Sequence, residues 1–316
     1  MATGGESKQS NLECVLNSTT PIVPSRFLSK NAMRNFSEIW HPWDKENIEF
    51  FTLGDLWSCY DEWSAYGVGV PIALNKDETV VQYYVPYLSA IQIFTSNTSI
   101  GSIRDESGEC ETRDSLSDSC SDETESEKSW RWEAGSSNDS GLEQDRLCVT
   151  QNERLGYLYF EYFERSTPYG RVPLMDKVIS LSRRFPGLMT LKSTDLSPAS
   201  WMAVAWYPIY HIPTGRTVKD LSACFLTFHT LSSTFQDSSS EEEIGIIERM
   251  TRKGVPLSPF GLATYKMKGS VWVSSENGNG NDEDRLLSLY SAADSWLKQL
   301  GVQHHDFNYF TGYRYG

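Results

Sequence analysis

The sequence predicts an α+β fold: a single domain with a mainly antiparallel sheet and a few packed helices, interrupted by a long disordered acidic loop. Runs with strand character outnumber helical stripes, and the two do not alternate as they would in a doubly wound sheet. The composition also changes abruptly at Gly101 and becomes apolar again near Arg154. We therefore expect a disordered tail at 1–10, one domain formed by 11–100 and 149–316, and a disordered Ser-rich acidic insertion at 101–148.

The part of the chain before the insertion is predicted to hold one helix and one or two strands. Residues 11–30 are expected to be extended, because Pro21 and Pro24 stand among small polar residues. Asp55 can cap a helix that ends near Gly67 and Gly69, with the apolar positions Leu56, Tyr60 and Trp63. Residues 79–85 and 88–94 form one bent strand or two, since Pro86 lies between them.

The part after the insertion is predicted to supply most of the sheet. Residues 155–163 carry aromatic residues on both faces and are expected to form a central strand, and 201–212 and 223–231 form two more. Residues 262–267 and 270–273 resemble a hairpin, and 304–310 a short final strand. Two helices are predicted by apolar stripes, which are Leu174, Val178, Leu181 and Phe185, and Leu286, Tyr290, Ala293, Trp296 and Leu300.

The net charge of −14 lies mainly in the insertion. Fourteen Asp and Glu and five Lys and Arg stand between residues 101 and 147, which gives that segment −9 and leaves −5 elsewhere. A basic footprint for nucleic acid is absent, no apolar run is long enough to span a membrane, and no signal peptide is recognisable. The six cysteines form no C-x-x-C pair. We expect a protein of the cytoplasm or nucleus that binds protein partners and carries neither metal nor cofactor.

The insertion has too few large apolar residues to offset the entropy cost of ordering its backbone. Its acidic character suits an acid-directed kinase, because several hydroxyl residues have an Asp or Glu three positions later. Such residues occur here and in a second acidic run; they are Ser115, Ser119, Thr124, Ser238, Ser239 and Ser240. Each phosphate would add about −1.5 to −2 charge. The alternative is a solvated spacer that is Ser-rich without being modified.

Long motifs run through both parts of the chain. Before the insertion stand LGDLW at 53–57, EWSAYGVGVP at 62–71 and VVQYYVPYLSAIQIF at 80–94. After it stand PYGRVPLMDKV, LKSTDLSPASWMAVAWYPIYHIPTGRTVKDLSACFLTFHTL and ADSWLKQLGVQHHDFNYF. These motifs resemble a plant protein family of unknown function, domain of unknown function 789. The resemblance implies a plant source and one family domain with a variable acidic segment inside it. It implies no activity, cofactor or catalytic residue, because none is assigned to the family.

Three residues are weak candidates for acid–base catalysis: Asp195, Asp220 and His229. Such chemistry requires two of these groups to face each other. Alternatively, the two acids brace turns through their own backbone and His229 is a core residue with satisfied hydrogen bonds. Cys224 and His229 are five apart in a predicted strand, so they point to opposite faces and cannot pair. His304 and Asp306 share a face of the predicted final strand, but two ligands do not form a metal site.

The densest aromatic run of the predicted domain follows residue 200. If these residues form part of the hydrophobic core, they need no role in binding. Alternatively, they line a cleft for an apolar or planar ligand, with an arginine to bind an anion. The cleft candidates are Trp201, Trp206, Tyr207, Tyr210, Arg171 and Arg216.

Three hypotheses follow from the sequence. The first is a non-enzymatic interaction or ligand-binding module with a phosphorylatable acidic regulatory loop. The second is an enzyme of unrecognised type with an acidic and histidine site in an aromatic cleft. The third is a structural subunit of a larger assembly, which would expose one large aromatic patch.

Overall fold

The computed structural model of the chain describes residues 9–29, 47–74, 78–95, 155–209, 223–233, 254–265 and 281–312. The acidic insertion and residues 1–8 of the predicted tail lie outside the described residues, and so does the second strand of the predicted hairpin. The helices are α1 (Asn11–Ser18), α2 (Leu53–Ser58), α3 (Asp61–Tyr66), α4 (Leu174–Ser182), α5 (Gly187–Thr190), α6 (Asn281–Gln299) and α7 (His305–Thr311).

The strands are β1 (Ile22–Val23), β2 (Arg26–Ser29), β3 (Asn47–Phe50), β4 (Val68–Ala73), β5 (Thr79–Thr95), β6 (Tyr157–Phe163), β7 (Trp201–Pro208), β8 (Cys224–Thr230), β9 (Val255–Pro256) and β10 (Gly261–Tyr265). Six of them form an antiparallel sheet in the order β10-β8-β7-β5-β4, with β6 paired to the C-terminal part of β5. Thr95 lies opposite Tyr157, so strands from both sides of the insertion pair directly. The predicted α+β class with a mainly antiparallel sheet is confirmed.

Both faces of the sheet are covered by helices. Because side chains alternate along a strand, Met202, Val204 and Trp206 of β7 join one hydrophobic cluster and the residues between them join another. Helices α1 to α5 cover the first face. Helix α7 and the C-terminal half of α6 cover the second face, where their buried side chains include Ala293, Leu297, Phe307 and Phe310. This double burial explains why β7 is apolar throughout and why β8 is buried at nearly every position.

The two apolar segments around Pro86 form one long strand, β5, whose ladder with β7 is interrupted by a bulge. Leu88 lies opposite Val204 and Ala90 opposite Ala203, which leaves Ser89 without a partner in β7. A bulge adds one residue to a strand and redirects its side chain. Ser89 is fully buried at this point, and its backbone carbonyl accepts a hydrogen bond from the Glu164 N–H at 2.8 Å.

Three features before the insertion differ from the predictions. Residues 11–18 were expected to be extended but form α1, whose N-cap Ser10 accepts a hydrogen bond from the Glu13 N–H at 3.2 Å. The sequence signal was the Ser-x-x-Glu spacing of a capping box. The segment after Gly67 forms strand β4, which was not predicted because Gly67 and Gly69 are unfavourable in a strand. The single predicted helix is two: Thr52 caps α2 with Asp55 in its first turn, and α3 ends at Gly67.

Two predictions after the insertion are also corrected. Strand β6 was expected to be central, yet among the described strands it pairs with β5 alone, and Tyr157 and Leu158 are exposed. Its aromatic residues Tyr159, Phe160 and Tyr162 pack on the first hydrophobic cluster, and Phe163 packs on the second. Residues 305–311 were expected to be a strand but form helix α7, with His304 as the N-cap. The geometry inferred for His304 and Asp306 from a strand is therefore wrong.

Candidate functional site

A buried polar cluster lies where the bulge of β5 meets the N-terminus of α7. It consists of Ser89, Arg171, His304 and Asp306, each at most 9% exposed. Asp306 lies at the centre, because Arg171 Nη1 and Nη2 donate to its two carboxylate oxygens at 2.6 Å each. Ser89 Oγ is 2.5 Å from Asp306 Oδ2 and 3.1 Å from His304 Nε2. The hydrogen bonds of His304 and Asp306 in this cluster reach residues 135 to 217 positions earlier in the sequence.

The hydrogen bonds of the cluster fix the direction of its protons. His304 Nδ1 accepts the Phe307 N–H at 3.1 Å, so the neutral ring carries its proton on Nε2. Nε2 therefore donates to Ser89 Oγ, and the Ser89 hydroxyl donates to Asp306. A nucleophilic serine requires the opposite arrangement, in which the histidine nitrogen accepts the serine proton. The three residue types of a catalytic triad thus meet here in a geometry that holds a helix in place.

Burial and charge act in opposite directions on the cluster. Burial raises the pKa of Asp306, but the hydrogen bonds and charge of Arg171 outweigh it and lower that pKa overall. Burial lowers the pKa of His304 to about 4, although the Asp306 carboxylate opposes this shift. At neutral pH the cluster therefore contains one carboxylate, one guanidinium and a neutral histidine. Its net charge is zero, and the guanidinium also lies 5.6 Å from the centre of the Tyr207 ring.

The buried histidines predict how stability depends on pH. His304 and His229 both have a pKa lowered to about 4 by burial, whereas an unfolded histidine titrates near 6.5. Unfolding takes up protons in this window, so the free energy of unfolding falls as the pH falls from 6.5 to 4. The limiting slope is about 1.4 kcal/mol per pH unit for each residue. His304→Asn keeps an N-cap acceptor but has no titrating ring. We therefore expect its free energy of unfolding to depend less steeply on pH, as measured by urea unfolding at pH 6.5, 5.5 and 4.5.

The control for this prediction is His305→Asn. His305 is the next residue along the chain and its side chain is 63% exposed. His305→Asn keeps the buried His304 ring, so we expect its unfolding free energy to depend on pH more steeply than that of His304→Asn between pH 6.5 and 4.5. Equal slopes for the original chain and His304→Asn would contradict the assignment of a buried, neutral His304.

An exposed loop, residues 165–170, lies between two buried charged residues. Glu164 Oε1 accepts the Arg165 N–H at 2.9 Å and the Ser166 N–H at 2.8 Å. Arg171 closes the other end, because its Nε donates to the Ser166 carbonyl at 3.0 Å while its guanidinium binds Asp306. All six residues between these two are exposed. The loop is therefore fixed at both ends while its surface faces solvent.

Glu164 is held as a carboxylate. Burial raises its pKa, but hydrogen bonds from the Ser166 N–H and the Tyr162 hydroxyl, together with the charge of Lys177, lower it to about 2. Tyr162 donates at 2.7 Å, and Lys177 Nζ lies 3.5 Å from the carboxylate. Glu164 thus remains charged at any physiological pH, and its bonds to the loop persist with it.

The tip of the exposed loop presents a tyrosine to solvent. Pro168–Gly170 forms one turn of 3-10 helix, in which the Gly170 N–H donates to the Thr167 carbonyl at 2.9 Å. Tyr169 is 94% exposed, more than any other large hydrophobic side chain that the structure describes. Val172 and Ile179 on the following segment are also more than two-fifths exposed. Tyr169 was not among the predicted site residues; its only signal in the sequence is the Pro-x-Gly spacing, which is typical of a turn.

The catalytic candidates do not come together in the part of the chain described. His229 is fully buried; its Nδ1 donates to the Leu257 carbonyl at 2.8 Å, and Nε2 accepts from the Thr227 hydroxyl at 2.9 Å. Asp195 accepts the Lys192 N–H at 3.1 Å and so braces its own turn. Cys224 faces the second hydrophobic cluster, away from His229. Asp220 lies outside the described residues.

The cleft candidates fall on both faces of the sheet. Trp201 and Trp206 are fully buried in different clusters, and their indole N–H groups donate to Gln92 and Thr227 at 2.9 Å. Tyr207 is half-buried next to Arg171, whose charge is already paired with Asp306. Tyr210 and Arg216 lie outside the described residues, and so do all six phosphorylation candidates, Ser115, Ser119, Thr124, Ser238, Ser239 and Ser240.

The described ranges contain neither a cluster of metal-binding side chains nor a membrane-spanning helix. Within them, no group of three or more His, Cys, Asp or Glu side chains is placed to hold a metal ion. No helix in the same ranges is both long enough and apolar enough to cross a membrane.

Comparison with known proteins gives one match. A family model described as "Protein of unknown function (DUF789)" matches residues 10–310. No curated protein and no solved structure matches the chain.

Proposed function

The chain belongs to the family described as "Protein of unknown function (DUF789)", and since that description names no activity, we propose from its geometry that it is a non-enzymatic protein-interaction module. The binding surface is the exposed loop, residues 165–170, with Tyr169 as its central contact. The observation that carries this proposal is a tyrosine 94% exposed on a turn whose two ends are fixed by buried charged residues.

The physical argument concerns the cost of binding. Ordering a mobile loop at an interface opposes association, so a loop that is fixed beforehand binds more tightly. Tyrosine supplies a large contact area with few rotatable bonds and is enriched among the residues that dominate binding energy. Tyr169 contributes no buried area to the fold, so its fixed presentation is not explained by stability. Val172 and Ile179, which follow the loop in the sequence, are also exposed apolar side chains.

The buried groups support a role outside catalysis. Ser89, His229 and His304 use their hydrogen-bonding atoms inside the protein, and the two histidines are neutral at physiological pH. Their bonds connect strands to helix α7 and to the segment before β10. These three residues therefore act as structural links.

We further propose that the folded chain is one domain at 11–100 and 149–316, interrupted by the acidic insertion, and that the insertion regulates binding. The support is the direct pairing of β5 with β6 and the charge of −9 between residues 101 and 147. Phosphorylation of Ser115, Ser119 and Thr124 would make the insertion more negative. We also propose that the protein resides in the cytoplasm or nucleus.

The test of the proposed function is Tyr169→Ala. Partners are first recovered with the full chain from extracts of the cells that express it, and their affinities are then measured by titration calorimetry with purified proteins. We expect Tyr169→Ala to weaken binding by at least about 30-fold, the effect of removing a dominant interface residue. The matched control is Tyr66→Ala, since Tyr66 is 75% exposed on α3 and also contributes nothing to the core.

Both variants are expected to unfold at the same urea concentration as the original chain, so a loss of affinity will not reflect unfolding. If Tyr169→Ala binds every recovered partner as tightly as Tyr66→Ala does, the loop is not the binding surface. The proposed regulation by the acidic insertion is tested separately, by deleting residues 101–146 and by treating the chain with phosphatase.

A further inference from the structure

Four Ser/Thr-Pro dipeptides occur in the chain, and the structure describes all of them: Thr20-Pro21, Thr167-Pro168, Ser197-Pro198 and Ser258-Pro259. A proline-directed protein kinase accepts a hydroxyl residue followed by proline, so the sequence by itself makes the four equivalent. They differ in access to the hydroxyl and to the proline. We propose that Thr167, in the exposed loop, is the residue that a proline-directed protein kinase phosphorylates in the folded protein.

Thr167 meets the structural requirements of a kinase substrate. Thr167 and Pro168 are both exposed, and so are the other residues of the loop. The Thr167 backbone is already extended, with φ −62° and ψ 156°, as expected for a residue that precedes proline. Its side chain makes no capping hydrogen bond to the turn that follows. Extending the segment would open a single turn of 3-10 helix and release the Ser166 backbone from Glu164 and Arg171, while Thr167 and Pro168 themselves are already exposed.

Two of the other dipeptides are shielded directly. Ser197 is fully buried, and its Oγ accepts the Ala199 N–H at 3.2 Å. The Thr20 hydroxyl donates to the Leu16 carbonyl at 2.7 Å, and the proline after it is buried. Exposing either hydroxyl together with its proline would require the surrounding core to open.

Ser258 is exposed, but its neighbours on both sides are fixed to the core. Leu257 is 3% exposed; its N–H donates to the Pro21 carbonyl and its carbonyl accepts from His229. The Phe260 N–H donates to the Phe228 carbonyl, and the Phe260 ring lies 5.1 Å from that of Trp296. The segment cannot be extended into a kinase groove without breaking these contacts.

The reaction is a phosphoryl transfer from ATP. Thr167 Oγ forms a bond to the γ-phosphorus, the bond from that phosphorus to the β,γ-bridging oxygen breaks, ADP leaves, and the hydroxyl proton passes to the base of the kinase. The product adds about −1.5 to −2 charge two residues after Arg165 and two before Tyr169. The charge of the loop then changes sign. This consequence for binding rests on the proposed function, whereas the phosphorylation itself does not.

The experiment treats the full folded chain with a purified proline-directed protein kinase and MgATP, and follows each site over time by mass spectrometry. We expect Thr167 to be phosphorylated at least about tenfold faster than Thr20 or Ser258, and Ser197 to remain unmodified. The rates follow the populations of locally opened states, which are smallest for core segments. In chain unfolded by urea and diluted into the assay, all four sites are expected to react at similar rates.

The control variants separate the proline from the hydroxyl. Pro168→Ala keeps Thr167 but is expected to lower its rate about tenfold or more, while Thr167→Ala removes the site and leaves the others unchanged. Both changes are on the exposed loop, and circular dichroism checks that the fold is retained. An unmodified Thr167, or equal rates at Thr167 and Ser258 in the folded chain, would overturn the proposal. The kinase assay contains no binding partner, so neither of these results would bear on the binding test with Tyr169→Ala.

Discussion

Replacing Asp306 with alanine is expected to lower the free energy of unfolding by about 3–5 kcal/mol, the usual cost of removing one member of a buried ion pair. The variant leaves the Arg171 guanidinium, whose side chain is 2% exposed, without its two bonds to carboxylate oxygens. It also removes the acceptor of the Ser89 hydroxyl. Urea unfolding at pH 7, followed by circular dichroism, measures the change.

The control is Lys298→Ala. Lys298 and Asp294 form an equally short ion pair at 2.6 Å on the surface of α6, where the lysine side chain is 70% exposed. Water competes for such a pair, so we expect a loss of about 0–1 kcal/mol. The double variant Arg171→Met with Asp306→Leu is expected to regain part of the stability, since no buried charge then lacks a partner. A loss below about 1 kcal/mol for Asp306→Ala would show that α7 is not held by this pair.

Trp206→Ala is the second change with a large expected effect, again about 3–5 kcal/mol in the free energy of unfolding. Trp206 is fully buried on the first face of the sheet, where its ring stacks on Phe225 with centroids 6.0 Å apart. Tyr60 and Trp63 pack on it from the helical side. The expected loss combines the apolar area with the cavity that the removed indole leaves.

This change also separates the two interpretations of the aromatic run. A cleft wall would lose ligand binding on truncation with little loss of stability, whereas a core residue loses stability itself. Circular dichroism at 222 nm is the measurement, because tryptophan fluorescence changes with the substitution. Tyr169→Ala is the matched aromatic control and is expected to remain within about 0.5 kcal/mol of the original chain. Similar small losses for both variants would contradict a core role for Trp206.

The helix α4 shows what a local pattern can predict. Its apolar stripe and the proline before it were legible in the sequence, and Leu174 and Val178 are buried as that stripe requires. The strand β8 could be predicted because aromatic, β-branched and other apolar residues dominate the run at 223–231. In both elements the hydrophobic pattern of the sequence agrees with the burial of the residues in the fold, so the pattern alone was enough to predict them.

The buried polar cluster could not be predicted in this way. Ser89 points to His304 and Asp306 because one extra residue in β5 changes the direction of its side chain, and a bulge has no signal in an apolar strand. Arg171 and Asp306 are 135 residues apart, so their pairing depends on how the sheet and α7 pack. Arg171 was predicted to be available for an anion, but its charge is paired with Asp306.

By itself, then, the sequence determined the α+β class, the family, and the location of most of the negative charge, because these depend on composition, periodicity and long motifs. Only the tertiary structure decided that residues 305–311 form a helix. Their alternating Phe307 and Tyr309 favour a strand locally. The helix forms because His304 caps it, Arg171 pairs with the carboxylate in its first turn, and Phe307 and Phe310 are buried against the sheet. Those partners come from distant segments, and they also fix one end of the loop that presents Tyr169.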